Sequence, residues 1–131
     1  MGMLRVVCGV IESSAGEYLL CQRPEGKGQA GLWEFPGGKI EDGESAQLAL
    51  VRELQEELGC SVTVGEGLPF VVHHYEEFTI ELIPFHCRIS GGKPTALEHQ
   101  AIEWVRLEEF ADYALAPADE PIVEELRSNL K

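Results

Sequence analysis

The sequence predicts an α+β sandwich, and two patterns carry that prediction. Short apolar, β-branched runs separated by Gly- and Pro-containing turns read as strands, mostly antiparallel. Two amphipathic stretches, one in the middle of the chain and one at its end, read as helices. Helices placed unevenly among strands point to the α+β class rather than to a regular βαβ alternation. The 131 residues suit one domain, 1–131, and are enough to enclose a core.

In chain order, "MLRVVCGVI" (3–11) is apolar and β-branched enough for a buried strand. "SSAGE" (13–17) is a turn, and "YLLCQR" (18–23) reads as the returning strand of a hairpin. "PEGKGQAG" (24–31) is a loop. Its glycines resemble a phosphate loop, but the GKS or GKT ending is missing, so it reads as the rim of a cleft. "LWEFP" (32–36) is a short extended segment, stopped by Pro36 and the pair Gly37-Gly38. A helix follows from Ser45, a suitable N-cap, to Leu58, with Gly59 as its stop. "SVTV" (61–64) is a strand, and residues 70–89 make two strands meeting near Glu76-Glu77. After the turn "GGKP" (91–94), "AIEWVRL" (101–107) alternates as a strand. "LEEFADY" is a short helix or turn, and "EPIVEELRSNL" (120–130) is an amphipathic helix with Pro121 in its first turn.

Charge narrows the function classes. The net charge is −13, from 10 basic and 23 acidic residues. Nucleic-acid polymers and anionic membranes both reward clustered Lys and Arg, so neither is expected as a partner. A small anion remains within reach if a metal ion stands between it and the protein. None of the four cysteines forms a CxxC pair, and each sits in or beside an apolar run. They read as free, buried thiols in a reducing compartment. No apolar run nears the roughly 18 residues of a membrane span. The N-terminus lacks the pattern of a signal peptide, so the expected location is cytoplasmic.

The middle helix holds the strongest signal. At about 100° per residue, Leu50, Val51, Leu54 and Leu58 fall in one arc, which reads as the buried stripe. Glu53, Glu56 and Glu57 fall in a second arc, roughly opposite. A solvated acidic face is one reading; clustered oxygens for a hard divalent cation are the other. Two features favour the cation. The glutamates lie toward the C-terminal end of the helix, where the dipole disfavours anions. The Gly-Gly pair upstream lets backbone approach a ligand and can add a carbonyl ligand. Glu44 can fold back over the same patch, and Arg52 can orient a neighbouring carboxylate.

Gly38, five residues, Glu44, seven residues, then Arg52-Glu53-Leu54-Gln55-Glu56-Glu57-Leu58-Gly59 resembles the Nudix box. Cys60 departs softly from the Ile, Leu or Val that the family usually carries there, and is apolar enough to pack. "LWEFPGGKIEDGE" and "APADEPIVEEL" (116–126) look like the MutT-type branch, so the resemblance covers nearly the whole chain. It implies the Nudix fold, an α/β/α sandwich around a mixed central β-sheet. It also implies hydrolysis of a nucleoside triphosphate to monophosphate and pyrophosphate with Mg²⁺ or Mn²⁺. The metal ligands would be the Gly37 carbonyl, Glu53, Glu56 and Glu57. Arg52 would orient Glu53, and Glu44 would support the metal shell. The general base would be Glu53 or Glu98.

For the substrate, the resemblance implies Arg23 on the phosphates, with Gly38 and Lys39 beside them. Phe35 and Leu32 are candidate walls for a base, and equally candidate core. Asp119 stands where MutT itself has Asn. Aspartate there resembles relatives acting on CTP and modified cytidine nucleotides, and does not exclude 8-oxo-dGTP. Asp119 is also placed to cap the last helix. His73 and His74 point to opposite faces of a strand and read as structural. His99 reads as a surface residue with substrate contact as the alternative, and Trp33 and Trp104 as packing. A dinucleotide polyphosphate or nucleotide sugar is the alternative substrate. A non-catalytic binding module is the alternative of another class, but such domains tend to lose box carboxylates that are all present here. The expected assembly is a monomer or weak homodimer.

Overall fold

The computed structural model of the chain describes residues 2–129. Among these residues, eight strands and two α-helices occur in the order β1 (Met3–Ile11), β2 (Glu17–Gln22), β3 (Trp33–Glu34), β4 (Gly37–Lys39), α1 (Ala46–Leu58), β5 (Ser61–Gly67), β6 (Val71–His74), β7 (Thr79–Gly91), β8 (Ala101–Arg106) and α2 (Glu120–Ser128). Two 3₁₀ segments, Leu107–Asp112 and Pro117–Asp119, lie between β8 and α2. The end of the predicted last helix, at Leu130, lies outside the described residues.

The strands form two sheets. One is mixed, in the order β4-β1-β7-β5, with β6 also on β7; the other is antiparallel, in the order β3-β2-β8. β1 runs parallel to β7 from Met3↔Thr79 to Ile11↔Cys87 and antiparallel to β4. Both sheets share a middle layer between the helices. Val7 and Ile11 of β1 and Leu19 and Cys21 of β2 face the core with Leu50, Leu54 and Leu58 of α1. Cys8 and Val10 of β1 and Leu20 of β2 face the core with Ile122, Val123 and Leu126 of α2. Both strands are buried on two faces, which is why each reads as a continuous apolar run rather than an alternation. This is the α/β/α sandwich with a mixed sheet.

Three expectations need correction. The turn at residues 13–17 exists, with Ser13 N–H donating to the Glu17 carbonyl at 2.8 Å, but β1 and β2 do not form a hairpin. After the single bridge Glu12↔Tyr18 the chain enters the second sheet, because both edges of β1 are already taken by β4 and β7. Gly37-Gly38 is not a stop but part of β4, paired with Cys8 and Val7. The helix wheel is also rotated. Val51 is 37% exposed, whereas Ala49 is buried beside Leu50, Leu54 and Leu58. On the wheel Glu53 and Glu57 fall between Ala49 and Leu50, so they are half-buried within this face and not on the opposite side.

The caps are as expected. Ser45 accepts from Leu48 N–H, and Gly59 closes α1 in the left-handed conformation, φ 66°. All four cysteines are free and buried.

Candidate active site

The site is built where α1 crosses β4. A Cβ on Gly37 would lie 1.9 Å from the Val7 carbonyl oxygen, so only glycine lets β4 pair this closely with β1. A Cβ on Gly38 would lie 2.3 Å from the carboxyl group of Glu53, so the missing side chain is the space that Glu53 occupies.

Arg52 gathers the carboxylates. Its Nε donates to Glu44 Oε2 at 2.6 Å and its Nη2 to Glu44 Oε1 at 2.9 Å, a two-point fork. Nη1 donates to Glu53 Oε2 at 2.9 Å, and Nη2 also reaches the Lys39 carbonyl. The bond to Arg52, with the Glu41 backbone bond next, lowers the Glu44 carboxyl to about 2. Glu41 N–H donates to Glu44 Oε1, so the loop before α1 is tied to the same fork. Glu56 stands apart: its side chain is 53% exposed, with Oε1 3.5 Å from Arg52 Nη1.

Glu57 is the unusual carboxyl. Burial, then the charges of Glu53, Glu34 and Glu98, push it up to about 9, against a backbone hydrogen bond from Gly37. Its Oε1 is buried without a hydrogen-bond partner. Such an oxygen is costly unless something binds it. Among the described residues no three His, Cys, Asp or Glu side chains form a ready-made metal cage. The donor chemistry still fits a hard divalent cation: carboxylate oxygens of Glu53 and Glu57 beside glycine backbone, with one oxygen orphaned.

Glu98 arrives by a different route. Thr95 N–H donates to the Leu58 carbonyl and Leu97 N–H to the Glu57 carbonyl, so the loop before β8 caps the C-terminal end of α1. That cap carries Glu98 to the same cleft as Glu57.

The cleft has a volume of about 410 Å³. Gly37, Gly38, Lys39, Glu57 and Glu98 line it, as do Arg23, Glu34, Phe35 and Asp119. Residues 24 and 27–29 of the glycine loop do form rim, as the sequence suggested. Arg23 is not free: Nη1 donates to Glu34 Oε1 at 2.9 Å and Nε to the Gly28 carbonyl at 2.6 Å. Phe35 is 3% exposed and packs near Phe110, so its side chain is chiefly core. Leu32 is not among the cleft residues.

Asp119 does not cap α2 with its side chain. Its Oδ2 accepts from Phe35 N–H at 2.7 Å, across 84 residues of sequence. The link is prepared by backbone: Trp33 N–H donates to the Ala114 carbonyl and Ala116 N–H to the Trp33 carbonyl. Asp119 is 6% exposed. Burial, then the charge of Glu34, pushes its carboxyl up to about 8, against the Phe35 bond and Arg23.

Sequence reasoning missed Glu34 and misplaced His99. The His99 side chain is 6% exposed, not on the surface, and Nε2 lies 3.0 Å from Glu34 Oε2. A charged residue between two aromatics in "WEF", and a histidine next to Glu98, were the available signals. His73 meets the Tyr75 ring edge-on, and His74 Nδ1 lies 2.9 Å from Thr79 Oγ1.

A family model described as a NUDIX domain matches residues 7–125. The chain belongs to the Nudix family. It is 49% identical over 127 residues to a CTP pyrophosphohydrolase of Escherichia coli K12, covering 95% of this chain and 91% of that protein. It is 32% identical to an 8-oxo-dGTP diphosphatase of the same strain, covering 97% and 98%. The solution structure of the Escherichia coli ORF135 protein superposes with a TM-score of 0.85 at 45% identity, covering 98% of this chain and 91% of that one. The geometry gives the stretch from Gly38 to Gly59 its physical sense: a glycine cleared for a carboxylate, and an arginine holding two of them. No helix among the described residues is long and apolar enough to cross a membrane.

Proposed function

We propose that this protein is a cytoplasmic nucleoside triphosphate pyrophosphohydrolase, converting a nucleoside triphosphate and water to the monophosphate and pyrophosphate. The whole chain, 1–131, acts as one Nudix domain, as a monomer or weak homodimer. The observation that carries the reading is one cleft lined by both Glu57, with its one unpaired buried oxygen, and the buried Asp119 carboxyl. One suits a cation that holds phosphates; the other suits a base.

Mg²⁺ or Mn²⁺ is the cofactor, held by Glu53, Glu56, Glu57 and the Gly37 carbonyl. When bound it offsets the phosphate charge and polarises water and the phosphorus being attacked. The chain's own residues do the rest. Arg52 keeps Glu53 turned toward Gly38, and Glu44 keeps Arg52 in place. Glu53 or Glu98 takes the proton of the attacking water. Arg23, Lys39 and the Gly38 backbone receive the phosphates, and the 24–31 loop shields them.

Cytidine nucleotides are the favoured substrates. Two facts support this: the 49% identity to a protein named for CTP, and an Asp at position 119. A carboxyl that keeps its proton near neutrality, as burial makes Asp119 do, donates to a ring nitrogen and still accepts from an amine. An oxidised guanine, the substrate named for the 32% relative, is the second reading, because its edge also offers donors and acceptors. Steady-state kinetics with Mg²⁺ on CTP, dCTP, 5-methyl-dCTP, 8-oxo-dGTP, ADP-ribose and a diadenosine polyphosphate tests the assignment. A cytidine nucleotide should give the highest kcat/KM. Preference for ADP-ribose or the dinucleotide would reject the substrate class.

A further inference from the structure

His99 lines the cleft with a buried side chain whose ring is only half engaged. Its Nε2 lies 3.0 Å from Glu34 Oε2, while Glu34 Oε1 accepts from Arg23. Glu34, paired with Arg23, is an acceptor, so the hydrogen of a neutral His99 ring belongs on Nε2. Nδ1 then carries a lone pair. That nitrogen is buried and has no hydrogen-bond partner. Buried polar atoms rarely stay unpaired, and in the wall of a substrate cleft the missing partner is a natural part of the ligand.

We infer that His99 Nδ1 is a substrate contact of this cleft, accepting a hydrogen from the nucleoside part of the nucleotide. The inference rests on the nucleotide reading above. The triphosphate cannot supply the contact, since its ionised oxygens only accept. Donors remain on the sugar hydroxyls and on the N–H groups of the base, which share the chemistry an imidazole lone pair takes. Glu34 fixes the ring so that the lone pair keeps one direction, which makes the contact selective rather than adaptable. His99 thus becomes a specificity residue next to Glu98 in sequence.

The test is a cycle between protein and substrate. Wild type, His99→Leu and His99→Gln are compared on CTP, on dideoxy-CTP, which lacks the sugar hydroxyls, and on UTP, which lacks the exocyclic amine. Removing the right donor should lower kcat/KM of wild type about three- to tenfold, the size of one neutral hydrogen bond, mainly through KM. His99→Leu should not distinguish that substrate from CTP beyond the change it shows on the others. A response to dideoxy-CTP assigns the sugar; a response to UTP assigns the base. His99→Gln keeps a donor for Glu34 and guards against a variant that does not fold. The ring ¹⁵N signal of Nδ1 should also shift when wild type binds a CTP analogue with a methylene between the α and β phosphorus atoms. Equal losses on all three substrates, no loss, or a static Nδ1 signal would overturn the inference while leaving nucleotide hydrolysis intact. Absence of turnover of any nucleotide by wild type would sink the parent reading and this one with it.

Discussion

Glu57 concentrates the electrostatics of the site. Its carboxyl is buried, raised to about 9, and left with one unpaired oxygen. Such a group destabilises the chain alone, a cost that the proposed cation would offset. Replacing Glu53 or Glu57 with Gln should lower turnover by orders of magnitude while leaving the melting temperature unchanged or higher. Mg²⁺ should raise the melting temperature of wild type and not of Glu57→Gln; full activity in both variants would remove the metal site. Asp119 gives a second prediction. Its pKa rises from 3.8 to about 8 on folding, so the folded chain holds a proton that the unfolded chain releases. Stability must then fall as pH rises across that window. Asp119→Asn should lack this slope, so melting curves should favour it increasingly over wild type between about pH 5 and about pH 8.5. Parallel curves would show that Asp119 is ionised throughout. The sequence named both carboxyls, but not their burial, because the residues that cover them come from distant segments.

At the scale of elements, β4 and α1 form the working unit, and their two glycines separate stability from activity. Gly37→Ala would press against the Val7 carbonyl, backbone that cannot step aside. Gly38→Ala would press against the Glu53 carboxyl, the end of a flexible side chain. Gly37→Ala should therefore lower the melting temperature sharply. Gly38→Ala should keep the fold but displace Glu53 from Arg52 and lower kcat. Thermal melts and kinetics on the two variants check this, and the reverse pattern would contradict it. The ends of α1 were legible in sequence because Ser45 and Gly59 act locally. Its rotation was not, since whether Val51 or Ala49 is buried depends on how the helix packs on the sheet. Pairing failed for the same reason: a turn at 13–17 is local chemistry, whereas the parallel partner of β1 lies about 76 residues away, as in Arg5↔Glu81.

Across the whole molecule, long-range links assemble the cleft. The 95–97 segment caps α1 and delivers Glu98, and the β3–Ala116 backbone bonds deliver Asp119 to Phe35. The resemblance to the box was legible in the sequence, because its residues run without a break from β4 through the loop to α1. Glu34 and His99 were not, because their significance lies in meeting across 65 residues. The net charge of −13 fits this arrangement. An acidic chain repels a triphosphate everywhere except where a cation and the few basic side chains reverse the local sign.

The most direct test of that account is ³¹P NMR of the products formed from CTP and Mg²⁺. CMP and pyrophosphate in equal amounts are expected, with the signals absent when Glu57→Gln replaces wild type. CDP with inorganic phosphate, or no turnover of any triphosphate, would contradict it.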